Sequence, residues 1–177
     1  MKVASFDIVF QEIPGEVTLA LNLSNCPCHC PGCHSQHLAE DIGEVVNEEL
    51  LDGLLARYGS MITCVAFMGG DADPEEVSEW ARYVKGLRAT GYDLRTAWYS
   101  GRQQLPECLT AQRSSSDNGL TASEVLQQSD LPFDYVKLGP YVESLGGLKS
   151  EKTNQRLYKR AGDSWEDITS SFWRKVL

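Results

Sequence analysis

The sequence predicts an α/β protein: a partial, open βα barrel of mainly parallel strands, with an N-terminal hairpin and a short C-terminal hairpin. Three observations carry this expectation. Strand-like and helix-like segments alternate along most of the chain, a pattern that calls for crossover connections and a parallel sheet. Each expected strand runs into a glycine-rich or polar segment, and in such folds sites gather at the C-terminal ends of the strands. With 177 residues the chain is too short for eight βα units, so an open barrel fits better than a closed one.

At this length a single domain spanning residues 1–177 is expected, with enough chain to bury a good core. Apolar residues make up 42% and charged residues 23%, which is ordinary for a globular protein. The formal net charge of −9 argues against a nucleic-acid groove and against an anionic membrane surface. The N-terminal run Met1-Lys2-Val3-Ala4-Ser5-Phe6-Asp7 has an acid where a signal peptide needs an apolar core, and no apolar run is long enough to span a bilayer. A reducing, cytoplasmic setting is expected, and it suits free thiols.

Taken in order, residues 3–10 alternate as a strand, Pro14-Gly15 marks a turn, and Val17-x-Leu19-x-Leu21-x-Leu23 reads as a second strand with one buried face. The stretch 35–46 reads as irregular. Asn47 then caps a helix whose first turn holds Glu48 and Glu49, whose stripe is Leu50, Leu51, Leu54, Leu55 and Tyr58, and which ends at Gly59. Ile62 to Met68 is a nearly continuous apolar run, a strand buried on both faces, with Cys64 in the core. Asp73, Pro74 and Glu76 open a second helix that stops near Thr90-Gly91. A strand from Leu94 to Tyr99 runs into Ser100-Gly101-Arg102. Residues 103–120 are polar and serine-rich at their centre, and read as a surface loop insertion. Thr121 and Glu124 form a capping box before a short helix, Tyr135 to Leu138 is a strand ending in Gly139-Pro140-Tyr141, and Leu157–Arg160 with Trp165–Thr169 form a hairpin around Ala161-Gly162-Asp163.

The segment after the second strand is Asn25-Cys26-Pro27-Cys28-His29-Cys30-Pro31-Gly32-Cys33-His34, which packs four of the six cysteines into eight residues. No hydrophobic core needs thiols that dense, and cysteines so close cannot staple distant parts of a fold. A metal or cluster site built from one loop remains. A structural zinc site usually takes two short pairs from separate parts of the chain, and the second pair is missing, although His29, His34 and His37 keep a local zinc site open. The two-cluster ferredoxin spacing is absent. Cys26, Cys30 and Cys33 read C-x3-C-x2-C, and three thiolates can hold three irons of a [4Fe–4S] cluster while the fourth iron stays open to a substrate.

C-x3-C-x2-C resembles the cluster loop of the radical S-adenosylmethionine (SAM) enzymes. The longer run Cys30-Pro31-Gly32-Cys33-His34-Ser35 is similar to the activating protein of the anaerobic (class III) ribonucleoside-triphosphate reductase. Lys137-Leu138-Gly139-Pro140-Tyr141 and Thr153-Asn154-Gln155-Arg156 resemble late segments of those activators, and the likeness runs from about Phe10 to Arg160 apart from 103–120. The resemblance implies Cys26, Cys30 and Cys33 as iron ligands, with Cys28 as the spare thiol. It implies cofactor contacts from Gly32, Cys33 and His34 in the loop, and from Gly69, Gly70, Asp71 and Ser100 at later strand ends. Gly69-Gly70-Asp71 stands where such enzymes carry a Gly-Gly-Glu-like segment for the SAM amino group, and on its own it reads equally as a plain βα turn. Ser100 and Arg102 are either a solvated strand end or contacts to the SAM ribose or carboxylate. Gly32 departs from the aromatic that many members carry before the third cysteine. His29 and His34 would shape the loop, and His37 reads as a surface residue. No catalytic residue beyond the cluster ligands is expected.

The implied activity is reductive cleavage of SAM to methionine and a 5′-deoxyadenosyl radical, which takes hydrogen from a backbone glycine of the partner reductase. The implied cofactors are a [4Fe–4S] cluster and SAM. The implied partners are the large glycyl-radical reductase and an external one-electron reductant of flavodoxin or ferredoxin type. Activation of another glycyl-radical enzyme and a small-molecule radical SAM reaction are alternatives within that superfamily. A zinc-binding interaction module, and an electron carrier with Cys28 as fourth ligand, are alternatives outside it.

Overall fold

The computed structural model, which describes residues 1–110, 121–127 and 129–173, gathers the eight strands of the described residues into one sheet. Along the chain these are β1 (Lys2–Val9), β2 (Thr18–Leu23), β3 (Glu44–Val45), β4 (Cys64–Met68), β5 (Arg95–Tyr99), β6 (Tyr135–Leu138), β7 (Arg156–Ala161) and β8 (Ser164–Asp167). Among the described residues three α-helices alternate with them: α1 (Glu48–Tyr58), α2 (Pro74–Gly86) and α3 (Ala122–Gln127). Across the sheet the order is β3-β1-β2-β4-β5-β6-β7-β8.

The protein is therefore mixed α/β, and the expectation of a mainly parallel sheet is corrected. The pairings β2–β4, β4–β5 and β5–β6 are parallel, whereas β1–β3, β1–β2, β6–β7 and β7–β8 are antiparallel. The reason lies in the connections. A parallel pair needs a long crossover, and only the three segments that carry α1, α2 and α3 supply one. The chain before β2 and after β6 returns without a helix, so both flanks pair antiparallel, and β3, within the crossover that carries α1, adds to the free edge of β1. The two expected hairpins, β1–β2 and β7–β8, are these flanks. β3 and β8 are the sheet's edges, and β3 with the short 3-10 helix Gln36–Ala39 falls in the stretch read as irregular.

The helix starts follow local chemistry. Asn47 Oδ1 accepts from the Leu50 N–H at 2.8 Å, and Asp73 Oδ1 accepts from the Glu76 N–H at 3.0 Å, with Pro74 in the first turn of α2. Thr121 and Glu124 form the reciprocal box: the Thr121 N–H donates to Glu124 Oε2 at 2.7 Å and the Glu124 N–H to Thr121 Oγ1 at 3.4 Å. In the polar stretch after β5, Leu105 is buried in the helix-side core and Glu107–Leu109 forms a 3-10 turn, while residues 111–120 lie outside the described residues. Among the described residues no helix is long and apolar enough to cross a membrane.

Alternation along the strands gives the sheet two unlike faces. Leu19, Leu21, Val65, Phe67, Trp98 and Val136 pack on the helix side. The opposite face carries Cys64, Ala66, Ala97, Tyr135 and Leu157, covered by Ile13, Leu148, Ile168 and Phe172. Register aligns Ala20 with Ala66 and Ala66 with Ala97. Three small side chains in one row keep the centre of this second face low. The next row towards the C-terminal ends of the parallel strands is Asn22, Met68, Tyr99 and Lys137, again aligned partner to partner.

Gly70, between β4 and α2, is where this arrangement is least forgiving. Its φ is +81°, and a Cβ there would lie 2.4 Å from Val77 Cγ2 and 2.9 Å from Leu23 Cδ1, both on fully buried residues. Gly70→Ala is expected to cost about 1–3 kcal/mol in denaturant unfolding. A variant as stable as the wild type would show that α2 can shift away from the sheet at no cost.

Candidate metal centre

The cysteine loop leaves β2 through two residues that turn the chain sharply. Asn25 adopts φ +60° and His29 φ +43°, both left-handed, and Gly32 follows at φ +73°. The start of the loop is clamped to the following strap: the Asn25 N–H donates to Glu40 O at 3.1 Å and the Cys26 N–H to Leu38 O at 2.9 Å. Further on, the Cys33 N–H closes a turn onto Cys30 O at 3.1 Å. A Cβ on Gly32 would stand 3.2 Å from Glu143 Cδ. The left-handed φ is what favours a glycine over an aromatic side chain at this position.

The result is four half-buried thiols beside two cavities. The larger cavity, about 590 Å³, has the row Asn22, Met68, Tyr99 and Lys137 as its floor. The smaller, about 260 Å³, lies against the loop and is lined by His29, Pro31, Ser35 and Gln36 among others. Cys26, Cys30 and Cys33 border both cavities, whereas Cys28 borders only the larger one. At the far mouth of the larger cavity Lys149 Nζ donates to Gln11 Oε1 at 2.7 Å, and the Tyr99 hydroxyl donates to the Glu12 carbonyl, pinning the β1–β2 turn over this face.

Of the residues singled out in the sequence, Cys26, Cys30, Cys33, His34, Gly69, Asp71 and Ser100 line the larger cavity together. Gly32 sits under Glu143 and Gly70 under Val77 and Leu23, and neither is among the lining residues. His29 lines the smaller cavity and His37 is exposed. Ser100 is fully buried, which rules out a solvated strand end at this position.

Asp71 is the centre of the rim. It is 1% exposed, and its partners come from the end of β5. Oδ1 accepts from the Ser100 hydroxyl at 2.5 Å, and Oδ2 accepts from the Gly101 N–H at 2.8 Å. Arg102 Nη2 donates to the Asp71 backbone carbonyl at 2.7 Å, and its Nε stands 3.6 Å from Oδ1. Ser100 and Arg102 thus both serve Asp71. The Cys28 thiol faces Oδ2 at 3.7 Å, and Cys26, Cys28 and Asp71 hold ligand atoms within 4.8 Å of one another. Burial, then the Asp71 carboxylate, then the Cys26 sulfur push the Cys28 thiol up to about 12, so without a metal it keeps its proton at neutral pH.

Two segments that the sequence marks only by resemblance meet on the other side of the cavity. Asn154 Nδ2 donates to Pro140 O at 3.0 Å, and a Cβ on Gly139 would lie 3.0 Å from Gln155 Cα. Their meeting shapes the cradle of Lys137, a residue whose chemistry the sequence does not signal. An alternating strand position looks apolar-facing or solvent-facing until its neighbours are known. Lys137 is 7% exposed and donates to Gly139 O at 2.6 Å and Ser100 O at 3.2 Å. Burial pushes its ammonium down to about 8, opposed by the Asp71 carboxylate and the nearby thiols. Below about pH 8 both folded and unfolded chains carry the charge and the burial cost is fully present. As pH rises from there to the ordinary 10.5, the folded chain sheds its proton first and the cost fades. The stability of the wild type relative to Lys137→Met should therefore rise across that window by up to about 3 kcal/mol, read by urea unfolding on either side of it. A difference independent of pH would mean that the ammonium is hydrated.

A family model described as "4Fe-4S single cluster domain" matches residues 14–157. No curated protein matches the chain, and no solved structure does. The matched span begins in the β1–β2 turn and ends in β7. It takes in the cysteine loop, the three parallel pairings and the floor of the larger cavity, and the chain belongs to the 4Fe-4S single cluster domain family.

Proposed function

We propose that this iron–sulfur protein is a radical SAM activase that generates a glycyl radical on an anaerobic ribonucleoside-triphosphate reductase. The observation that carries the reading is the position of Cys26, Cys30 and Cys33. These three thiols border both cavities at the C-terminal ends of the parallel strands, beside a space of about 590 Å³. An electron carrier needs no such space next to its cluster. The volume suits one small polar cofactor, and leaves a macromolecular substrate to present a single backbone segment at the mouth. The donor set fits the cluster: soft, half-buried thiols from one loop, three of them matching C-x3-C-x2-C. The low row of alanines and the helices confined to one face support the finer reading of the sheet as the wall of a partial barrel, open at its edges.

In this reading Cys26, Cys30 and Cys33 hold the cluster, and Lys137 presents a buried cation to the carboxylate of SAM. Asp71 and the Gly69 backbone form the rim that receives the amino group, and His34 borders the same space. When bound, cluster and SAM supply the one-electron cleavage of SAM and the hydrogen-atom abstraction from the partner's glycine, with the electron coming from an external flavodoxin-like or ferredoxin-like reductant. The chain itself contributes orientation, exclusion of water, and the charge at Lys137. A second reading has one observation in its favour: the Cys26, Cys28 and Asp71 group offers a compact site for a single thiophilic ion such as zinc.

Anaerobic reconstitution followed by EPR of the reduced protein, with and without SAM, tests the proposal. A [4Fe–4S] signal that changes on adding SAM, with 5′-deoxyadenosine released and a glycyl-radical signal appearing on the mixed reductase, is the expected result. Zinc at stoichiometry, or a cluster indifferent to SAM, would sink it. Substitution of Cys26, Cys30 or Cys33 by Ala should each abolish cluster assembly, measured as protein-bound iron and sulfide. Full iron retention in any one of them would remove that residue from the ligand set.

A further inference from the structure

Cys28 is the odd thiol of the loop. It borders the larger cavity but not the smaller one that the other three also border. Its sulfur lies 3.7 Å from Asp71 Oδ2, and it fills the space above Gly101, where a Cβ would come within 2.6 Å of Sγ. Oδ2 already accepts from the Gly101 N–H at 2.8 Å, and a carboxylate oxygen has room for a second donor. Among the described residues, the contact from Cys28 to Asp71 is the one hydrogen bond that ties residues 27–34 to the strand ends of the sheet; the Cys33 N–H to Cys30 bond stays within the loop.

We propose that Cys28 is a positioning residue, a latch whose S–H holds the cysteine loop against the Asp71–Gly101 rim, and that it is not an iron ligand. The proposal rests on the reading of Cys26, Cys30 and Cys33 as the cluster ligands. A sulfur bound to iron would have no hydrogen to give to Asp71, so the two roles exclude each other. The latch joins the two halves of the site. Asp71 is fixed to β5 by Ser100 and Gly101, and through Cys28 the loop after β2 is fixed to Asp71. Glycine at 101 is what lets the sulfur reach the carboxylate.

The test uses the reconstituted protein with Cys28→Ala, Cys28→Ser and Gly101→Ala. Both Cys28 variants should keep the wild-type iron and sulfide content, in contrast to Cys30→Ala. Amide hydrogen exchange over residues 27–34 should rise about tenfold in Cys28→Ala, the effect of one lost hydrogen bond to a charged acceptor. Cys28→Ser, whose hydroxyl can donate to the same carboxylate, should stay within about threefold of wild type. Gly101→Ala, which drives the sulfur away without removing it, should resemble Cys28→Ala and carries the test if that variant folds poorly. Loss of iron in Cys28→Ala to the level of Cys30→Ala would overturn the proposal by making Cys28 a ligand. Unchanged exchange in Cys28→Ala and Gly101→Ala would overturn it by removing the latch. A wild-type protein that holds its cluster but ignores SAM would count against the proposed activity alone, because the exchange comparison judges the latch without SAM.

Discussion

A carboxylate that is 1% exposed must find its hydrogen bonds inside the protein, and Asp71 finds them at the ends of two other segments. The Ser100 hydroxyl, the Gly101 N–H and Arg102 bind it from β5, and Cys28 faces it from the loop after β2. The rim of the site is therefore one connected network centred on the buried Asp71 carboxylate. Glu16 does the corresponding work at the other end of the parallel strands. It is 6% exposed and is held by the Tyr135 hydroxyl at 2.7 Å, Arg95 Nη1 at 2.9 Å and Thr63 Oγ1 at 2.5 Å. Those partners stand at or just before the starts of β6, β5 and β4.

Between these two fixed ends the faces of the sheet are packed differently. Ala20, Ala66 and Ala97 form a row with little bulk, while Phe67 and Trp98 on the reverse face fill the space under the helices. The cavity of about 590 Å³ lies beyond this row, over Asn22, Met68, Tyr99 and Lys137 at the C-terminal ends of the parallel strands. The chain is strongly acidic overall, yet this cavity holds a buried ammonium at Lys137. Net charge governs long-range behaviour, whereas the local field belongs to the few groups inside a low-dielectric space.

The span matched by the 4Fe-4S single cluster domain family takes in the cysteine loop. The structure adds that the four thiols of this loop are not equivalent. Three border two cavities and one faces a carboxylate. Sequence spacing counts residues along the chain, so Cys28 differs from its neighbours there only by failing to fit a pattern. In three dimensions the difference has a cause: left-handed backbone at His29 and a glycine at 101 turn its side chain towards Asp71.

Local chemistry was enough to determine most of the elements. The caps at Asn47, Asp73 and Thr121, the alternation through β2, the apolar run of β4 and the Gly162 turn of the last hairpin each depend on a few neighbouring residues. The crowding of four cysteines into one loop, and its place after a strand, were equally plain. Tertiary structure decided the rest, because it rests on pairings between residues far apart in the chain. Three of the antiparallel pairings depend on which segments lack a crossover, and the edge strand β3, inside the crossover that carries α1, exists only because β1 offers it a partner. The alanine row, the cradle of Lys137 and the partners of Asp71 depend on register between strands that no local pattern encodes. Neighbouring residues along the chain determined most of the elements and the crowding of cysteines into one loop; long-range strand register and the hydrogen-bonding demand of buried polar groups determined what that loop faces.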